Sequence, residues 1–326
     1  MTHLKKLSVL SLALSLFIGF TSCEKNDDNN NNPTMPDAKT IAQIASDDAD
    51  FSILVDALTR TNLVDALNDE NASLTVFAPT NAAFADLLNE LGLADLNAVE
   101  AALGTEGLKN VLLYHVLGAK VMSNQVNTGY VKTLAANATD DALTFYITTD
   151  GGVKINDRSM VETPDVEASN GVIHVINKVI LPISVFELLK VNPQFSSLVT
   201  ALMAADGDLD DLLMNNNGPF TLFAPDNEAF SNLLTELQYA DLTALVGALG
   251  TDGLANVLTY HVVSGNINSD EVPSGSVATV GGPTFTIDLV NGVNITDMNA
   301  RVASVTAVDI QGTNGVVHEL NKVLLP

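Results

Sequence analysis

The chain repeats itself, and this repeat limits its possible architecture more than any other feature. Residues 75–84 (TVFAPTNAAF) recur as residues 221–230 (TLFAPDNEAF), 146 positions later. Three further segments recur in the same order: 102–108 as 248–254, Tyr114-His115 as Tyr260-His261, and 170–174 (NGVIH) as 314–318 (NGVVH), the last at an offset of 144. Four ordered matches indicate a duplicated domain whose copies differ by small loop insertions and deletions.

Each copy has helical patterns in its first half and strand patterns in its second. Helical spacing at i, i+3, i+4 and i+7 is seen in Phe51, Leu54, Val55 and Leu58. Residues 143–148 are rich in the β-branched and aromatic side chains that favour strands. Asn170-Gly171 between apolar runs predicts a tight hairpin turn. The run 172–181 is apolar on both alternating faces, which predicts a central strand. The fold class is therefore α+β.

The spacing of the motifs sets the domain boundaries. The first copy is predicted to span residues 37–182, ending at Pro182, and the second 183–326. The opening helix of the second copy begins almost at once, at 185–189 (VFELL), without a polar or glycine-rich linker. We therefore expect the two domains to abut in a fixed arrangement.

The N-terminus has the pattern of an export signal. Lys5 and Lys6 precede a 14-residue apolar stretch, which is short for a membrane-spanning helix. The stretch ends at Cys23, the only cysteine, in a setting that resembles a bacterial lipobox. Residues 1–22 are predicted to be a lipoprotein signal peptide, with Cys23 as the lipid-attachment residue and the only link to a membrane. A simply cleaved signal with an incidental cysteine is the alternative.

Residues 23–36 are predicted to be a disordered Asn/Asp tether, because they contain almost nothing apolar to bury. The acidic pair Asp27-Asp28 is similar to the surface-export signal of Bacteroidetes lipoproteins. This resemblance predicts a lipid-anchored protein on the outer membrane, exposed at the cell surface. The periplasmic face of that membrane is the alternative.

The charge balance excludes one class of partner. The chain has 39 Asp and Glu against 14 Lys and Arg, for a formal net charge of -25. Such a chain repels phosphate backbones, so we expect no nucleic-acid partner. It also contains no Trp, the side chain on which sugar rings often stack, which disfavours carbohydrate binding without excluding it.

The repeated motifs resemble those of the fasciclin domain family. Residues 75–84 and 221–230 are similar to its first signature box, Tyr114-His115 and Tyr260-His261 to its central Tyr-His element, and 170–182 and 314–326 to its closing box. The resemblance implies two tandem domains, each a β-wedge of about seven strands packed with several helices. It also implies adhesion or extracellular interaction as the function. In metazoan members the Tyr-His region is linked to receptor contact, which points to Tyr114, His115, Tyr260 and His261 as candidate partner contacts.

The residues themselves suggest different roles within this pair. Leu108, Val111, Leu112 and His115 share one helix face, so His115 is expected to bond unpaired carbonyls at the helix end. Tyr114 lies one position off that face and is predicted to reach solvent, and so to carry the contact function. His261 and Tyr260 repeat this arrangement.

No metal, cofactor or catalytic site is predicted. His115 with His174 could form half of a metal site, but no third and fourth ligands follow at a fixed spacing. Asp206, Asp208 and Asp210 lack the Gly and Glu that complete a calcium loop. No nucleophile elbow, phosphate-binding loop or dinucleotide motif occurs, so we expect a protein that is not an enzyme.

Two functions are consistent with these observations. The first is a surface lipoprotein that mediates adhesion by contacting a protein, matrix or glycan surface, which predicts a broad, partly apolar patch around Tyr114 and Tyr260. The alternative is a ligand- or glycan-binding lipoprotein serving an envelope uptake system, which predicts a concave pocket with convergent polar groups.

Overall fold

The computed structural model describes residues 38–205, 209–214 and 218–326. The predicted signal peptide, Cys23 and the tether lie outside the described residues, as do Asp206 and Asp208. Residues 38–326 form one compact unit.

Both copies have the same architecture, a seven-stranded sheet with helices packed against it. The first copy contains helices α1 (Ile41–Asp47), α2 (Ser52–Arg60), α3 (Val64–Asn68), α4 (Asn81–Leu91) and α5 (Leu96–Leu113). Its strands are β1 (Leu74–Pro79), β2 (Val116–Leu117), β3 (Gly129–Ala136), β4 (Ala142–Thr148), β5 (Lys154–Ile155), β6 (Ser159–Ala168) and β7 (Gly171–Ile176). The predicted α+β fold is therefore confirmed.

The second copy repeats these elements. Its helices are α6 (Val185–Val191), α7 (Ser196–Ala204), α8 (Leu209–Met214), α9 (Asn227–Leu237) and α10 (Leu242–Thr259). Its strands are β8 (Phe220–Pro225), β9 (Val262–Ser264), β10 (Gly275–Ala278), β11 (Thr284–Asp288), β12 (Asn294–Thr296), β13 (Val302–Gly312) and β14 (Gly315–Leu320).

The closing strand of each copy is central in its sheet, as its two apolar faces predicted. The strand order is β2-β1-β7-β6-β5-β4-β3 in the first copy and β10-β11-β12-β13-β14-β8-β9 in the second. β7 pairs in parallel with β1 and antiparallel with β6, which confirms the predicted hairpin at Asn170-Gly171. One hydrophobic cluster lies between the helices and the sheet, and a second fills the wedge around Phe77 and Phe145.

The hairpin turn at Asn170-Gly171 also forms hydrogen bonds with helices α1 and α3. The Asn170 side-chain oxygen accepts the backbone N–H of Ile41 at 2.9 Å, where α1 begins. Its amide nitrogen donates to the carbonyls of Leu67 (2.9 Å) and Asp69 (3.0 Å), where α3 ends. A Cβ at Gly171 would lie 2.1 Å from the carbonyl oxygen of Leu74, so only glycine fits there. The Asn-Gly pair is therefore both a turn and the attachment point for two helices.

Replacing Asn170 by Ala is expected to lower the free energy of unfolding by about 3 kcal/mol, because a buried helix start and helix end lose their partners together. Urea denaturation of the purified protein measures this change. Asn89→Ala, an exposed position on α4, is the control and is expected to change stability by less than about 0.5 kcal/mol. Equal stability of the two variants would contradict the proposed attachment.

Candidate functional site

His115 lies at the end of α5, where its ring joins the helix to the closing segment of the domain. The backbone N–H of Ile180 donates to Nε2 at 2.9 Å, so the proton is on Nδ1, which donates to the carbonyl of Val111 at 2.7 Å. In the second copy, His261 has the same contacts with Val257 and Leu324. The prediction that this histidine satisfies carbonyls at the helix end is confirmed.

The prediction that Tyr114 and Tyr260 reach solvent is wrong. The two side chains are 1% and 0% exposed. The Tyr114 hydroxyl donates to the carbonyl of Thr144 at 2.7 Å, and its ring packs edge-on against Phe145. Tyr114 caps α5 with helical φ and ψ, and strand β4 instead of solvent covers the side of the helix end on which it lies. Burial raises the pKa of both tyrosines.

All four candidate contact residues are therefore core residues of the fold. His115 is 3% and His261 0% exposed, so the pair offers no atom to a partner that docks on the folded protein. The apolar surface patch predicted around Tyr114 and Tyr260 is not found at these positions. The partner-contact role that the resemblance implied for them has no surface on which to act.

The second histidine of each copy stabilises an irregular point in the sheet. His174 Nδ1 accepts the backbone N–H of Asp165 at 3.2 Å, and Nε2 donates to the carbonyl of Val121 at 2.9 Å. Asp165 has a φ of +63°, and its carboxylate accepts the N–H and hydroxyl of Ser123. His318, Asp309 and Ser269 repeat this arrangement.

Both ring nitrogens of His115 and of His174 are thus engaged by backbone groups. Within 38–205, 209–214 and 218–326, no group of three or more His, Cys, Asp or Glu side chains could hold a metal ion. Every buried side-chain nitrogen and oxygen in this part of the chain has a hydrogen-bond partner.

A concave surface lies between the two copies. It is an open groove of about 740 Å³. On one side are the second half of α5, with Lys109 and Asn110, and the β3–β4 hairpin, with Asn137 and Thr139. The other side is formed by residues of the second copy: Gly218, Pro219, Thr313, Asn314 and Gly315. We call this surface the inter-domain groove. It combines apolar atoms with amides, the hydroxyls of Thr139 and Thr313, the Lys109 ammonium and the Glu106 carboxylate.

One wall of the inter-domain groove is a hairpin that sequence reasoning missed. Thr133 donates to the carbonyl of Leu143, ten residues along the chain, whereas the matching Thr279 donates to Pro283, four residues along. The sequence contains a signal for this longer hairpin. Gly129 matches Gly275 at an offset of 146, but Phe145 matches Phe285 at an offset of 140.

Helix α10 is long and apolar enough to cross a membrane by length and composition. However, Gly250 interrupts it with a φ of +70°, and Leu254 and Leu258 pack in the core of the second copy. α5 has the same interruption at Gly104. We therefore assign α10 to the folded domain.

A helix-covered seven-stranded sheet, present twice, defines a tandem α+β protein. The fasciclin domain model matches it at residues 49–182 and 193–326, so the chain belongs to the fasciclin family. The resemblance inferred from the motifs is confirmed. Fasciclin domains are linked to cell-adhesion and cell-surface proteins among homologues, and the family is typically non-enzymatic.

Similar proteins come from distant organisms. Protein sll1483 of Synechocystis is 36% identical over 143 residues, 44% of this chain and 73% of that protein. Transforming growth factor-beta-induced protein ig-h3 of Sus scrofa is 28% identical over 78% of this chain but only 35% of its own length. The cell surface glycolipoprotein MPB83 of Mycobacterium bovis is 30% identical over 41% of this chain and 57% of its own length.

Among solved structures, a FAS1 domain pair from the insect cell adhesion molecule fasciclin I aligns with a TM-score of 0.49. The alignment has 20% sequence identity and covers 83% of this chain and 95% of the fasciclin I chain.

The buried histidines predict a loss of stability in mild acid. Burial lowers the pKa of His115 and His261 from 6.5 to about 4. The unfolded chain therefore binds protons below pH 6.5, while the folded chain does not until about pH 4. Stability is full above 6.5 and declines as the pH falls through this window. From pH 7 to pH 5 we expect a loss of about 2 kcal/mol per histidine.

Urea unfolding at pH 7, 6 and 5 measures this dependence. The double variant His115→Asn, His261→Asn is expected to be less stable at pH 7 but to have a smaller change between pH 7 and pH 5. His318, whose pKa burial also lowers, accounts for part of the remaining change. A double variant with the same pH dependence as the wild type would show that these two histidines do not cause it.

Proposed function

We propose that this protein is a surface-displayed, lipid-anchored adhesion protein that contacts a protein, matrix or glycan surface. The observation that carries the proposal is that both copies are fasciclin domains, and that together they account for almost all of the chain after the predicted tether. The printed name of the relative MPB83 describes a glycolipoprotein of the cell surface. The lipobox-like setting of Cys23 supports the same mode of display here.

The absence of catalytic activity is part of this proposal. Catalytic groups need free lone pairs or protons directed at a substrate. In the four buried histidines, both ring nitrogens are instead hydrogen-bonded to backbone groups. The two core tyrosines donate hydrogen bonds from their hydroxyls to backbone carbonyls. Their roles are structural, which favours a binding function carried by the surface.

The inter-domain groove is the surface at which we place partner contact. It is a concave surface made by both copies, and it contains hydroxyl, amide, ammonium and carboxylate groups beside apolar atoms. Its open form and mixed lining suit an interaction surface, whereas its concave shape and polar groups are features that the ligand-capture alternative predicts. The alternative function, capture of a glycan or other ligand for uptake, would use the same groove.

Display is tested first. Intact cells carrying the wild type or Cys23→Ala are treated with protease and labelled with antibody. We expect the wild type to be shaved from whole cells, and Cys23→Ala to be released from the envelope because it lacks the lipid. A wild type that is protected until the outer membrane is broken would refute surface display and favour a periplasmic role.

The groove is tested by blocking it. Ala138→Arg places a long side chain at its exposed hairpin wall, and Ala94→Arg adds the same side chain at an exposed position that is not among its lining residues. We expect Ala138→Arg to reduce attachment of displaying cells to matrix- and glycan-coated surfaces at least tenfold, with Ala94→Arg unchanged. Equal attachment by both variants would place partner contact elsewhere. Competition by soluble oligosaccharides would favour the ligand-capture alternative.

A further inference from the structure

The two copies are joined by contacts that involve different residues on each side. The Tyr130 hydroxyl, on β3, donates to the carbonyl of Leu188 in α6 at 2.8 Å. The Thr144 hydroxyl, on β4, donates to the carbonyl of Gln311 in β13 at 3.1 Å. Tyr146 packs beside Tyr130, with ring centroids 4.9 Å apart. The β3–β4 face of the first domain therefore rests on α6 and β13 of the second.

A carboxylate at the tip of the long hairpin completes this contact. Asp141 accepts one side-chain amide N–H from Asn266 (2.8 Å) and one from Asn268 (2.6 Å), one on each oxygen. Asn266 in turn accepts from the side chain of Gln311 at 2.7 Å. Hydrogen bonds to a carboxylate are stronger than those between neutral groups. We call Asp141, Asn266, Asn268 and Gln311 the clamp.

The second domain has no equivalent of the β3–β4 face through which the first domain contacts it. Its cross-strand pair at the positions of Tyr130 and Tyr146 is Ser276 and Thr286, and both are exposed. Thr144 is 2% exposed, whereas its counterpart Thr284 faces solvent. The shorter β10–β11 hairpin has no residue at the position of Asp141.

The first domain, in turn, has no equivalent of the surface of the second domain that contains Asn266 and Gln311. The positions of Asn266 and Gln311 are occupied there by Lys120 and Glu167, as the matching strand registers and threonine contacts show. Lys120 and Glu167 form a solvated ion pair at 2.8 Å. Gln311, in contrast, is 2% exposed. An ion pair left in water resists burial, because desolvating it costs more than an amide pair does.

We infer that the clamp is a dedicated joint between the two domains of one chain, and that it does not form between separate chains. Neither outer face has the residues to receive or dock another copy in this way, so the pair does not extend into a head-to-tail array. The joint also fixes the groove, since the hairpin that carries Asp141 is one of its walls. Asp141 is thus a positioning residue for the proposed binding surface.

Asp141→Ala tests the joint in the full mature chain. We expect hydrogen exchange of backbone amides in residues 137–146 and 266–268 to accelerate at least tenfold, because the hairpin separates from the second domain more often. Amides of β1 and β7 should keep wild-type rates, which shows that the domains remain folded. Asp150→Ala, at the exposed β4–β5 turn, is the control. Wild-type exchange rates in Asp141→Ala would overturn the inference.

A second, matched pair of variants tests the difference between the two domains. Gln311→Glu places a carboxylate beside the oxygens of Asn266, Gly312 and Gly315, so we expect it to open the joint as Asp141→Ala does. Glu167→Gln makes the reverse change at the matching exposed position and should leave exchange at the joint unaltered. Equal effects of the two substitutions would show that the joint does not distinguish the domains.

The inference that the joint does not form between separate chains is tested by measuring whether the protein is monomeric in solution. Analytical ultracentrifugation of the mature chain with Cys23→Ser, which removes the lipid, is expected to show monomer over a hundredfold range of concentration. Concentration-dependent polymers that disappear in Asp141→Ala would mean that the joint also forms between chains, and would overturn the inference. The result is separate from the proposed adhesion function, which cell attachment measures.

Discussion

In each copy, the parallel pairing of an early strand with the closing strand is the constraint on which the rest depends. β1 and β7 are far apart in sequence, so the helices and hairpins between them must lie on either side of this pair. Both faces of the pair are consequently buried, with the helical core on one side and the wedge core on the other. Gly171 allows the two backbones to approach, and Asn170 beside it holds the start of α1 and the end of α3.

The same constraint explains why the Tyr-His pair is structural. The chain leaves α5 at Tyr114 and must enter β2 beside β1, so the tyrosine turns into the wedge and the histidine toward the helices. Helical spacing correctly predicted the Nδ1 contact of His115, because its partner Val111 lies one turn back in the same helix. The burial of Tyr114 could not be predicted, because the strand that covers it, β4, is 30 residues away in the chain. Helical spacing gives the side of the helix on which a residue lies, but not which distant element covers that side.

The repeat predicted the tandem fold, the hairpin turn and the central closing strand, because those follow from patterns shared by both copies. It could not predict the clamp, which resides in the residues that differ between them. The offset between the copies changes at the longer hairpin, but it does not indicate the contact of this hairpin with Asn266 and Asn268, which are 125 and 127 residues from Asp141.

The functional consequence follows from how the polar groups are distributed. Within the described residues, the buried polar side chains all have hydrogen-bond partners inside the fold, so the binding that we propose is assigned to the outer surface. The joint adds a groove with walls from two domains. Because one wall is the clamp hairpin, substitutions that loosen the joint change the shape of the groove without touching its lining. Duplication followed by asymmetric substitution has thus produced a surface that neither copy could present alone.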